Sequence, residues 1–242
     1  MQITFLLLYL FIFLLSFYVL SKDDFLFLKK NISMEQMFNI IFALFFLGLL
    51  FSRIFFIIFN FKSIFLQPLV FLAFIYYPGF SLAGGFASII IFAYFYLLKQ
   101  KIPIGKSFDF FSISFLSVFG VGLLIDVIIN FFKNKNIDIE RFIIAIIFII
   151  IFFFFIRIIL PFQRRGELRD GSIALMFISL FSLIYFLIAL FIEKKNLFFL
   201  IERDGIFWVI LFVFSSLLFF WNESLWLMIK NVIISKKKKG LS

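Results

Sequence analysis

Histidine and cysteine are absent from this 242-residue chain, proline occurs four times, and charged residues make up only 15% of it. Without cysteine there is no disulfide, no thiolate nucleophile and no zinc–thiolate site, and the compartment cannot be read from thiol chemistry. Without histidine the chain lacks the side chain most used for proton transfer near neutral pH, which is also the commonest metal ligand. Neither a metal site nor a cofactor is expected. The shortage of charge excludes a soluble domain, which carries about 25% charged residues because its surface must be solvated. What occupies the chain instead is apolar: 65% of all residues, 24% aromatic, with phenylalanine alone at 47 positions. Apolar runs of about 17–25 residues match the roughly 30 Å hydrocarbon core of a bilayer, and several occur in series. An all-α polytopic membrane protein is expected.

Hydropathy and helix breakers place seven spans at about 3–20, 37–59, 84–98, 107–132, 142–160, 172–192 and 206–229. The first lacks a basic leader and a small-residue cleavage site before Ser21-Lys22-Asp23-Asp24, so it reads as a retained helix. The apolar stretch 63–80 is interrupted by Pro68 and Pro78 and reads as an interfacial or re-entrant segment leading into Gly84-Gly85. With the N-terminus outside, the cytoplasmic segments carry Lys22, Lys29, Lys30, Lys99, Lys101, Lys106, Arg164, Arg165, Arg169, Lys230 and Lys236 to Lys239. The outer loops carry Lys62, Lys133, Lys135, Arg141, Lys194, Lys195 and Arg203. Fourteen against seven favours N-terminus out and C-terminus cytoplasmic. The net charge of +10 is therefore read first as a topology signal, and no nucleic-acid partner is expected. Residues 236–242 form a basic tail that reads either as an anchor on anionic headgroups or as a plainly solvated end. Nothing repeats and no long polar linker intervenes, so residues 1–242 are treated as one domain.

Ionisable residues inside the spans carry the functional signal, because one at mid-bilayer costs about 2.5–3.5 kcal/mol even on the most lenient scale. Arg53 and Asp126 are flanked by apolar residues for more than a turn, and Asp126 is the natural counter-charge for Arg53. Two readings are open: a headgroup or substrate site, or an ion pair locking two helices. Asp109, just after Lys106 and Ser107, reads as an acidic residue at the positive start of its own helix. Arg157 lies near Pro161 and Arg164-Arg165 and reads as snorkelling. Gly84, Gly85, Gly120 and Gly122 would permit close approach of a helix or ligand, and Trp208, Trp221 and Trp226 fit interfacial anchoring of the last span.

From about Phe38 to Asp126 the chain resembles prolipoprotein diacylglyceryl transferase, the bacterial inner-membrane family that moves diacylglycerol from phosphatidylglycerol to a lipobox cysteine. Ser52-Arg53-Ile54 is similar to its Gly-Gly-Arg-Ile/Leu segment, and Gly79-Phe80-Ser81-Leu82-Ala83-Gly84-Gly85 to its Gly-Leu/Met-Ser-Phe-His-Gly-Gly. Lys101 to Asp126 can be laid on the following basic loop, the Asp at a span start and the Gly-x-Gly-Arg-x-Gly-Asn signature, with Asp109, Gly120 and Gly122 matching. Gly171 to Glu193 resembles the sixth span, so the likeness covers most of the chain.

The resemblance also shows what is missing. The family's histidine falls on Ala83, its signature arginine on Leu123, the following glycine on Ile125 and the asparagine on Asp126. Its Tyr-Gly-x-x-Arg-x-x-x-Glu pattern falls on Phe181, Ser182, Tyr185 and Ala189. Of its principal charged groups Arg53 alone survives clearly. The resemblance implies a bacterial cytoplasmic membrane protein that keeps the fold without the chemistry. Such a protein would act as a lipid-binding or membrane-complex subunit, with phosphatidylglycerol, other membrane proteins or prolipoproteins as partners. Arg53, Ser81, Gly84, Gly85, Gly120, Gly122 and Asp126 are its candidate lipid or buried polar site, and no catalytic residue is assigned. The alternative is an active transferase in which Tyr76, Tyr77, Tyr185 or Asp126 replaces the missing groups. A third reading is a small channel or transporter built on Arg53 and Asp126.

Overall fold

The computed structural model describes residues 2–61, 79–134, 139–191 and 203–239. The described residues are helical and joined by short turns, with no strand among them. Pro68, Tyr76, Tyr77, Pro78 and nearly all of the expected re-entrant segment lie outside the described residues. A helix overlies each of the seven predicted segments. Five are long and apolar enough to cross a membrane: Met34–Phe59, Leu82–Lys99, Ile104–Phe132, Ile139–Arg164 and Gly205–Ser224. Phe5–Ser21 and Ser172–Ile188 are apolar but shorter. The chain divides into two compact units, Met1–Ile104 and Gly105–Ser242.

The first unit contains α1 (Gln2–Ser21), the short α2 (Phe25–Lys29), α3 (Met34–Phe59) and α4 (Leu82–Lys99). Two caps build the connection between α1 and α3. The Asp24 carboxylate accepts from the backbone N–H groups of Leu26 and Phe27 to start α2, and the Ser33 hydroxyl accepts from Gln36 to start α3. Asn31, at φ 52°, makes the left-handed turn between them, a conformation that asparagine tolerates better than most residues. The Tyr18 and Phe38 rings pair across α1 and α3, and the Ser21 hydroxyl reaches the Met34 sulfur at 3.5 Å.

Helices α3 and α4 run antiparallel in close register. Gly48 faces Ile89, the Phe51 and Phe92 rings are 4.9 Å apart, and Ser52 faces Gly85. Gly84 permits this approach: a Cβ there would lie 2.4 Å from the Cβ of Phe55, a backbone-fixed atom that cannot swing away.

The second unit contains α5 (Ile104–Asn134), α6 (Ile139–Phe154), α7 (Leu160–Arg164), α8 (Ser172–Phe191) and α9 (Arg203–Lys239). A π-helical turn, Phe155–Ile159, joins α6 to α7 without ending the helix. Pro161 explains it, since its ring removes one backbone donor and crowds the carbonyl four residues back; the wider turn takes up the misfit. Helices α8 and α9 pair antiparallel, with the Ser179 and Ser216 hydroxyls 2.8 Å apart. Helix α9 continues to Lys239, well beyond the expected end at 229, so Lys236–Lys239 are helical and not a loose tail. No proline or glycine follows Gly205 until Gly240, and nothing in between breaks the helix.

The interior of the second unit is aromatic. Phe115 and Phe119 of α5 meet Phe148 of α6 and Phe177 and Phe181 of α8, and the Phe181 ring continues onto Trp208 of α9. Trp208 is buried, which corrects its expected place at the interface: its indole lies against Tyr185 at 4.5 Å between ring centres. Trp221 is exposed, as an anchor would be. Outward faces carry Phe46, Ile91, Phe95, Ile150, Leu217 and Phe220, an arrangement that lipid tolerates and water does not.

Candidate functional site

Helix α3 carries Ser52 and Arg53 side by side, and both point into the first unit. The Arg53 side chain is only 4% exposed, and its Nη1 donates to the carbonyl of Gly79 at 2.8 Å. The guanidinium also lies over the Phe56 ring at 5.6 Å, so an aromatic face replaces part of its lost water. Ser52 ties the same strip of chain twice. Its hydroxyl donates to the Ser81 carbonyl at 2.7 Å, and its own carbonyl accepts from the Ser81 N–H at 3.0 Å. Ser81 then begins α4, its hydroxyl accepting from the Gly84 N–H at 3.1 Å and its carbonyl from the Gly85 N–H. A fixed cation therefore stands beside the positive end of a helix. Both favour an anion, and no side chain named in this joint is a general base.

Of the seven candidate site residues, Arg53, Ser81, Gly84 and Gly85 meet in this joint, while Gly120, Gly122 and Asp126 belong to the second unit. Ala83, where the resembled family has histidine, is buried.

Asp126 behaves differently from the expectation. Its carboxylate takes Arg141 of α6 at 2.8 Å, with both side chains about half exposed. The sequence favoured Arg53 because both residues looked deep in apolar runs. Asp126 lies near the far end of α5, where the antiparallel start of α6 supplies a cation directly opposite. Gly120 and Gly122 are buried on α5, and Gly120 serves helix packing: a Cβ there would come within 2.9 Å of Ile149. Arg157 is exposed in the π-helical turn, as snorkelling requires.

A second polar cluster, centred on Asp109, lies in the other unit. Asp109 is fully buried. It does not mark the start of its own helix, which begins at Ile104; it caps the start of another. Its Oδ2 accepts from the N–H of Gly171 at 2.7 Å and its Oδ1 from the N–H of Ala174 at 2.8 Å, both at the N-terminus of α8. The Gln163 amide of α7 also donates to Asp109 and in turn accepts from Lys106 Nζ at 3.0 Å. Lys106, counted from the sequence among the basic residues of the cytoplasmic segments, is buried; it lies 3.8 Å from Asp170 and over the Phe110 ring. Gly105 allows α5 this close to the turn before α8, since a Cβ there would lie 2.8 Å from the Asp170 backbone.

From α9, Glu223 accepts from the Arg169 N–H at 3.1 Å and from the Ser172 hydroxyl, and Asn222 donates to that hydroxyl at 2.9 Å. Two carboxylates from two helices thus hold the start of a third. Both lie where the helix dipole favours negative charge, and every contact named is accounted for by capping. Gln163, Ser172 and Glu223 were not singled out from the sequence. Glu223 sits amid aromatic residues in an apolar helix, which was a usable signal; Gln163 carried none. Among the described residues no group of three or more aspartates or glutamates is placed to hold a metal ion. No model of a known protein family matches this chain, and no curated protein matches it significantly.

Proposed function

We propose that this protein is a seven-span membrane protein, N-terminus outside and C-terminus cytoplasmic. In this reading it is a catalytically degenerate relative of prolipoprotein diacylglyceryl transferase, serving the bacterial cytoplasmic membrane as a lipid-binding or membrane-complex subunit. The observation that carries the reading is the buried Arg53 guanidinium, held on the Gly79 carbonyl beside the N-terminus of α4. A buried cation next to a helix start is suited to a phosphate ester such as the phosphatidylglycerol headgroup.

Turnover needs more than a bound headgroup. The family's transfer requires a base for the thiol and positive charge for the departing phosphoglycerol. Ala83 offers neither. Asp126 is engaged by Arg141, which also removes the counter-charge on which a channel reading rested. Tyr185, on the position of a family arginine, stacks on Trp208. Losing one preorganised donor typically lowers a rate by about 10² to 10³, and here several are gone together.

Two measurements test the proposal. Purified protein should retain phosphatidylglycerol, Arg53→Lys should keep it and Arg53→Leu should lose it, by lipid extraction and mass spectrometry. The gene should not restore lipoprotein modification in cells depleted of the authentic transferase. Restored modification, or transfer of labelled diacylglycerol to a lipobox peptide by the purified protein, would establish the active-transferase alternative instead.

A further inference from the structure

The end of the first unit remote from Arg53 carries a different surface. The antiparallel register of α3 and α4 places the end of α4 beside the start of α3, and the Tyr18–Phe38 contact brings the end of α1 to the same place. Lys22, Lys29, Lys30, Lys99 and Lys101 therefore gather at one end of the unit, all exposed, against Asp23, Asp24 and Glu35. Helix α4 has 18 residues, so this end is roughly 27 Å from the Ser81 joint, nearly a hydrocarbon thickness away.

Helix α2 occupies this end and is built to stay there. Phe27 is buried as its peg, and the Asp24 cap and the Asn31 turn fix its two ends. Its other large side chains point away from the protein: Phe25 is 71% exposed and Leu28 62%. A rigid single turn with two bare apolar side chains, flanked by Lys22, Lys29 and Lys30, has the composition of a segment lying in the bilayer boundary. The lysines would reach the phosphate plane from there, while Phe25 and Leu28 enter the acyl region.

We infer that α2, with Lys22, Lys29, Lys30, Lys99 and Lys101, forms an interfacial platform for anionic phospholipid headgroups. It serves the leaflet opposite the Arg53 joint. The occupant is the bilayer surface because apolar and basic groups are exposed together: the first needs an acyl boundary and the second a negative plane, and an anionic membrane supplies both. The proposal stands independently of any lipid at Arg53.

The lack of cysteine makes the test direct, since each introduced thiol is unique. Full-length protein is reconstituted in nanodiscs containing phosphatidylglycerol and spin-labelled at Phe25→Cys, Leu28→Cys or Asp23→Cys. Labels at 25 and 28 should collide with oxygen at least threefold more than with a water-soluble nickel chelate, relative to the label at 23. Equal nickel access at all three positions would overturn the proposal. Shielding of 25 and 28 from both reagents would also overturn it, showing that protein covers the helix. Separately, Lys22→Gln/Lys29→Gln/Lys30→Gln should lower the preference for spin-labelled phosphatidylglycerol over phosphatidylcholine at least threefold at low salt. An unchanged preference would show that these lysines read no headgroup charge. Arg53→Leu should leave the oxygen and nickel accessibilities at 25 and 28 unaltered, which separates this platform from the site proposed above.

Discussion

At the scale of single residues, the contrast between Asp109 and Asp126 is the most informative. Both are aspartates on α5, yet one is fully buried with two backbone N–H donors and the other is a half-exposed partner of Arg141. Asp109→Ala would strand the N–H groups of Gly171 and Ala174 in a buried place, where each lost acceptor costs about 1–3 kcal/mol. Thermal unfolding in detergent should show a large drop for Asp109→Ala and a smaller one for Asp109→Asn, whose amide oxygen still accepts. Asp126→Asn removes only an exposed ion pair and should change stability by less than about 1 kcal/mol in the same assay. Gly84→Ala belongs with the severe changes. Its Cβ would press on the Phe55 Cβ, and overpacking of this kind costs about 1–3 kcal/mol.

Individual helices follow the sequence closely, and their departures have local causes. The π-helical turn before Pro161 keeps a buried stripe in register: Ala145 and Phe148 before it, Phe155, Ile159, Leu160 and Gln163 through and after it. Deleting Ile158 would turn the preceding helix by about 100° relative to Gln163. The amide would then miss Asp109, and the unfolding temperature should fall. In a double-mutant cycle with Asp109→Ala the two losses should be less than additive, because they remove one network. Additive losses would mean that the π-helical turn acts independently of the Asp109 cluster. Such a turn cannot be read from periodicity, since one extra residue in a uniformly apolar helix leaves no mark on the hydropathy.

For the whole molecule, the decisive quantity is the number of crossings. Reporters fused at the two ends cannot separate five crossings from seven, because both numbers are odd. A thiol placed in the α1–α3 connection can: with α1 spanning and the N-terminus outside, Lys30→Cys should resist a membrane-impermeant maleimide in intact cells and react after lysis. Labelling of intact cells at that position would remove α1 from the spans or reverse the orientation.

Composition and hydropathy determined the all-helical class and the places of the five helices long and apolar enough to cross a membrane, because lipid leaves an apolar chain few alternatives to the helix. The joint at Arg53, Ser81, Gly84 and Gly85 was also legible, since a lone arginine and paired glycines stand out in such a background. Partners were not. Asp126 meeting Arg141, Asp109 capping α8 with Gln163 and Glu223 nearby, and Trp208 buried against Tyr185 all depend on which helices face one another. Where nearly every face is hydrophobic, the pattern says that a helix is in the membrane but not which side meets a neighbour. Close packing and the few polar groups needing partners decide that, and only the tertiary structure contains them.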